Sequence, residues 1–346
     1  MFPFIAVNPQ KRARHQDVLV GRQFKLSSVK KLMVVAAAPD TEESWDNIET
    51  LLAELDIASL SSSPFAVDMK VQLILLGKQT GSSRHNCPYG HGRAPFNSCP
   101  LITLKNLDEN YQAFQAAGGD EKEAKEFYNC VRPALLQGDP ETTALELLTI
   151  AELHILIGVV GKLVQEFIKT FPTREDGDQF VNAFMKAHNI SWCDYKPGTF
   201  EGNQARKLLK LSTELLSETE GLPTTKIGEK TADVARTQAN FNKVVEACFG
   251  QDLDPSFRTT IKDYEKSYRS LGISVTPKVH VVFEHMAQFL ELKGHKTGLG
   301  AWSEQAMESV HHDMKLEWER TKVGPDHPKY REILFDTIVR YNSKHI

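Results

Sequence analysis

Lys31-Leu-Met-Val-Val-Ala-Ala-Ala38, closed by Pro39, is an unbroken apolar run of strand length. A short apolar run ended by a breaker reads as a buried strand. Directly after it, Asp40 or Thr41 can cap a helix, with Glu42 and Glu43 in its first turn, where negative charge is favourable. Trp45, Ile48, Leu51, Leu52 and Leu55 recur at helical spacing, and Ser61-Ser-Ser-Pro64 breaks the pattern. Phe65 to Leu76 is a second apolar run with Asp68 near its start. It reads either as a strand leading into a helix or as the first turns of a helix. This alternation predicts an α/β start.

Outward from there the text changes. From Leu101 it is strongly helical, and Ala144 to Lys169 reads as one long amphipathic helix with Leu153, Leu156, Ile157, Val160, Leu163 and Val164 on one face. Residues 203–218, 230–249 and 255–270 also have helical period, and at least two more helices are expected in the last ~70 residues. Gly202-Asn203 and Gly221-Leu-Pro223 punctuate them. The expected fold class is therefore an α/β start with an α-rich body. Residues 1–28, of mixed composition, read as an arm with at most one strand, near Val18 to Phe24.

Composition bounds the function. The 346 residues suffice for a sizeable core, and 41% apolar with 25% charged residues is globular. The net charge of −4 gives no whole-chain signature of a nucleic-acid binder, although a sum can hide a local basic face. Cys87, Cys99, Cys130, Cys193 and Cys248 are odd in number and scattered, which argues against a secreted disulfide framework and for reduced thiols in a cytoplasmic or nuclear compartment. No apolar run approaches the ~18 residues of a membrane span, so no membrane role is expected. Lys11-Arg12-Ala13-Arg14 is a short basic cluster, readable as solvated surface or as a nuclear address.

Three constellations could carry chemistry. Cys87-Pro88-Tyr89-Gly90-His91, with His85 nearby, is a turn around one thiol, or part of a zinc site that lacks a closely paired Cys. His280 and His285 lie five positions apart, which on a regular helix sets them about 140° from each other. They are either structural or, taken with Cys87, three ligands from two distant segments. Ser303 can cap a helix on which Glu304 and Glu308 share a face with His311 or His312. That face is either merely solvated or holds a hard divalent ion with Asp68 as the distant carboxylate.

The order of these features resembles a known family: the DDE-type recombination-activating recombinases and the Transib-like transposases related to them. Lys30 to Glu43 is similar to the family's central strand and following helix. Asp68 stands nineteen residues before Cys87, the family's spacing from its second catalytic Asp to its zinc-binding Cys pair. Gly202-Asn-Gln-Ala-Arg-Lys-Leu208, the pair His280 and His285, and Gly300-Ala-Trp-Ser-Glu-Gln-Ala-Met-Glu-Ser309 match further segments in the same order. The resemblance runs from about residue 30 to the C-terminus.

The resemblance implies an RNase H-like mixed sheet with a long helical insertion. It divides the chain into an arm (1–28), a partial RNase H-like core with the Cys motif (29–100), a helical insertion (101–270) and a segment with the His pair and the Glu-bearing helix (271–346). It implies that Asp68 and Glu308 hold Mg²⁺ or Mn²⁺ as the second and third catalytic carboxylates, that Cys87, His280 and His285 hold a structural zinc, and that DNA is the ancestral partner, in the nucleus. Two departures stand out. No Asp-Gly turn precedes residue 31, where only Asp17 is acidic, and Gly90 occupies the position of the second Cys, with His91 next door as a substitute ligand. The expectation is thus a transposase-derived, N-terminally truncated protein that keeps the fold and has lost, or nearly lost, catalysis, either a genomic relic or a domesticated DNA-binding or partner-binding remnant. Its incomplete sheet edge would be filled by the arm or by a second copy in a homodimer. The alternatives are an active metal-dependent nuclease, with a first carboxylate from Asp17, Asp40 or another chain, and a zinc-stabilised helical interaction module with no nucleic-acid role.

Overall fold

Asp68 decides what becomes of the second apolar run. Its carboxylate accepts a hydrogen bond from the Val71 backbone N–H at 2.8 Å, as a helix N-cap does, and the chain turns into a helix at Met69. Gln72, Leu73, Ile74 and Leu75 are all buried there. A short run buried on every side has no period that could separate helix from strand, and the cap settles it as helix.

The computed structural model describes residues 4–7, 33–37, 41–55, 64–80, 85–91, 99–194, 198–220, 222, 228, 230–294, 297–303 and 305–344; the side chains of the two strands, of 305–308 and of His311 are not among what is described. Asp17, Asp40, Glu304, Lys11 to Arg14 and Val18 to Phe24 lie outside the described residues.

The first run quoted above does form a strand. β1 (Phe4–Val7) pairs antiparallel with β2 (Met33–Ala37). These two make a two-stranded ribbon, and among the described residues no further strand joins it. The expected RNase H-like mixed sheet is therefore corrected, and with it the α/β start: the fold is helical. Helices α1 (Trp45–Glu54), α2 (Met69–Leu75), α3 (Leu104–Ala116) and α4 (Ala144–Leu147) occupy the first half. Then come α5 (Glu152–Ile168), α6 (Arg174–Ala187), α7 (Gly202–Lys210), α8 (Ser212–Glu220), α9 (Thr231–Cys248) and α10 (Phe257–Ser270). A continuous helical rod, α11 (Pro277–His280), a π-turn (Val281–His285) and α12 (Met286–Leu292), precedes α13 (Gln305–Glu319) and α14 (Tyr330–Ser343).

The stretch 144–169 is two helices rather than one. Phe65 N–H donates to Leu147 O at 2.7 Å and Thr149 N–H donates to Phe65 O at 2.9 Å, so the backbone at 147–149 bonds sideways instead of continuing the helix. The second piece, α5, is the axis of the core, with Ile155, Leu156, Val159, Val160 and Leu163 all fully buried. Helices α6, α7, α9 and α11 pack around it. The α7 contact includes an ion pair of Arg206 with Glu152, whose side chain is buried.

A candidate metal centre

Three segments meet beside α12. The first is the Cys87 loop. Lys78 Nζ, itself buried, donates to the Cys87 carbonyl at 2.8 Å. Tyr89 Oη lies 2.9 Å from both Gln72 Oε1 and Thr149 O, its single proton going to one or shared between them, which fixes the loop to α2 and to the sideways-bonded backbone before α5. The second segment returns by antiparallel pairing: Gly90 bridges Leu101, with Ile102 N–H donating to Tyr89 O at 3.0 Å and His91 N–H donating to Pro100 O at 3.2 Å. That pairing brings Cys99 back alongside Cys87.

The third segment is the helical rod. Thr276 caps it and Pro277 starts it, where a missing N–H costs nothing. On an α-helix His280 and His285 would point apart. The chain instead makes a π-turn over Val281–His285, whose i→i+5 hydrogen bonding winds residue 285 back over residue 280. The two imidazole centroids are 5.0 Å apart, with the rings perpendicular.

Cys87 Sγ lies 3.2 Å from His285 Nε2. Cys99 Sγ lies 3.7 Å from His280 Nε2 and 4.0 Å from His285 Nε2. The donor atoms of Cys87, His280 and His285 all fall within 4.8 Å of one another, and all three residues are buried. Zinc bonded at ~2.3 Å to sulfur and ~2.0–2.1 Å to nitrogen in a tetrahedron separates such ligand atoms by ~3.6 Å. The observed spacings bracket that value, so the residues fit a zinc ion. The outer shell fits too: His285 Nδ1–H donates to Gln288 Oε1 at 2.9 Å, which in the neutral ring turns the Nε2 lone pair toward the sulfurs. Burial pushes the Cys87 thiol up, while its hydrogen bond to Cys99, against burial and with bonds from both imidazoles, pulls the Cys99 thiol down. Burial lowers Lys78 against the opposing influence of Cys130, Cys87 and Cys99.

The other candidate residues are placed differently. His91 does not belong to the cluster: its ring lies edge-on to Tyr128 at 4.4 Å between centroids, its side chain bonds Asn106, and burial lowers its pKa. Asp68 caps α2 and belongs to no group of close ligand atoms among the described residues. Glu308 lies on α13, with its side chain outside the described residues. A further group, His188 with Glu214 and Glu218, is largely exposed, and His188 is already 3.5 Å from Glu214. Cys99 escaped the sequence reading because its place in the site depends on an antiparallel pairing across a twelve-residue separation, for which no local pattern exists.

No model of a known protein family matches the chain, and no curated protein matches it. No helix among the described residues is long and apolar enough to cross a membrane.

Proposed function

We propose that this chain is a zinc-clamped helical scaffold of recombinase descent that binds rather than cuts. The observation that carries the clamp is the convergence of Cys87 and His285, 198 positions apart, with His280 in one buried group. Buried sulfur and nitrogen ligands suit a structural zinc, which takes four such ligands. When bound, zinc supplies folding energy to the scaffold. The protein's own residues do the rest: the π-turn aims both imidazoles, Gln288 fixes one tautomer, and Lys78 and Tyr89 hold the Cys87 loop against α2.

The recombinase half of the proposal is supported by the ordered motifs from Lys30 to Ser309. Binding over cutting is supported by Asp68, the carboxylate expected to hold Mg²⁺ or Mn²⁺, which accepts the Val71 N–H at the α2 N-terminus, a capping task that needs no metal. DNA is the partner this descent implies. Fluorescence anisotropy with a labelled duplex tests it, and affinity should fall steeply between ~50 and ~200 mM salt if phosphates are contacted.

Elemental analysis of the purified chain should give one zinc per molecule, absent from a His285→Ala variant. Mn²⁺-dependent plasmid nicking should be absent. Nicking by the wild type that disappears in both Asp68→Asn and Glu308→Gln would replace binding with catalysis. Asn retains the capping oxygen, so that variant keeps its helix.

A further inference from the structure

We infer that Cys99 is the fourth ligand of the centre, closing it as a Cys87, Cys99, His280, His285 site for zinc. This rests on the clamp reading and adds to it the identity of the ligand that completes the tetrahedron. The recombinase pattern would put the second thiol at Gly90, three positions after Cys87. A Cβ built on Gly90 would stand 2.7 Å from Cys99 Sγ and 3.4 Å from His285 Cε1. The space a side chain at 90 would take is thus filled by the sulfur of Cys99, delivered from the opposite side of the Gly90–Leu101 bridge. The same Cβ would stand 2.7 Å from the Pro100 carbonyl, so the backbone comes close at 90 only because that residue is glycine.

His91, the neighbour that could otherwise substitute, is turned onto Tyr128 and Asn106. Charge points the same way. One thiolate with two neutral imidazoles would leave a bound Zn²⁺ with a net charge of +1, beside the buried Lys78 amine. Two thiolates make the centre neutral, and a neutral centre is far cheaper to bury than an uncompensated cation.

The test loads the full chain, and its Cys99→Ser and His91→Ala variants, with Co²⁺ in place of zinc, and reads the near-ultraviolet thiolate-to-cobalt band, whose intensity follows the number of bound sulfurs. The wild type should show a tetrahedral spectrum with two thiolates. Cys99→Ser should lose about half of the band and bind zinc more weakly by more than the ~10–100-fold that loss of an outer-shell partner costs. His91→Ala should match the wild type. A folded Cys99→Ser protein with unchanged band and affinity would overturn the assignment while leaving the clamp standing. A wild type that takes up no cobalt and no zinc would overturn the clamp itself. Alkylation of the unmutated protein is independent of variant folding: Cys99 is part-exposed, so it should be shielded from iodoacetamide when zinc is bound and modified once zinc is chelated. Equal modification in both states also overturns the assignment.

Discussion

Replacing Gln288 with leucine probes the centre without touching a ligand. The side chain is part-buried, and its Oε1 accepts the Nδ1–H of His285 at 2.9 Å. In the metal-free fold that neutral hydrogen bond contributes ~1 kcal/mol net. With zinc on Nε2 the imidazole N–H is polarised, and the bond moves toward the ~1.5–3 kcal/mol of charge-assisted ones. The variant therefore costs the metal-bound form ~0.5–2 kcal/mol more than the free form, centred on ~1.3 kcal/mol. At about 1.4 kcal/mol per decade, that is about a tenfold weaker zinc affinity, at the lower end of what outer-shell losses cost. Competition against a chromophoric zinc chelator at neutral pH measures it. Gln288→Glu, which keeps an acceptor and adds charge, should bind zinc at least as tightly as the wild type. If the leucine variant binds within about threefold of the wild type, then His285 Nδ1 does not orient the ring for a metal, and the hydrogen bond is ordinary packing.

Three further outcomes follow from other parts of the fold. Arg206→Ala removes the ion-pair partner of the buried Glu152 carboxylate, so it should cost ~3–5 kcal/mol and lower the calorimetric melting temperature by roughly 4–7 °C; a shift below about 1 °C would show the pair to be dispensable. Burial alone would raise the Glu166 pKa, but hydrogen bonds from Lys162 at 2.8 Å and Lys169 at 2.9 Å outweigh it and hold the carboxyl below its usual range. The stability this contributes is present above the ordinary carboxylate pKa of ~4.3 and lost as pH falls through the lowered one, so Glu166→Gln should cost ~0.5–1 kcal/mol near pH 7, with a gap to wild type that closes below about pH 4 in urea titrations; a pH-independent gap would contradict the ion pair. Burial pushes Cys130 up to about 11 and Cys248 up to about 12, so peptide mass spectrometry should find neither alkylated in the native chain at neutral pH, and modification of either would contradict its burial.

Much of the helical body was legible because its period is long and regular. Of the apolar face read along 153–164, Leu156, Val160, Leu163 and Val164 are buried on α5, while Leu153 and Ile157 are part-buried and Ile155 and Val159 take the core instead; residues 230–249 and 255–270 correspond to α9 and α10. The expectation of a mixed sheet failed where period carries no information. Lys31 to Ala38 contains a strand, but its partner is the short Phe4–Val7 segment, and the run after Asp68 is a capped helix. The break inside 144–169 was equally invisible, since it depends on hydrogen bonds to Phe65 from far along the chain.

The candidate site was half legible, and its two halves failed for different reasons. Cys87, His280 and His285 could be picked out as residue types that ligate metal, yet their spacing argued against them: two histidines five apart diverge on an α-helix. The π-turn removes that objection by a local change of winding, and such turns are rare, concentrating at functional positions. A helix leaves its preferred winding only when something in the fold favours the alternative. Here it places Nε2 of both histidines within reach of Cys99 Sγ. Glycine at 90 acts in the same direction from the other side, since its missing Cβ is what lets that sulfur in. A winding defect and an absent side chain, on elements distant in sequence, therefore converge on one volume the size of a tetrahedral ion, and core packing alone gives no reason for either departure to face the other.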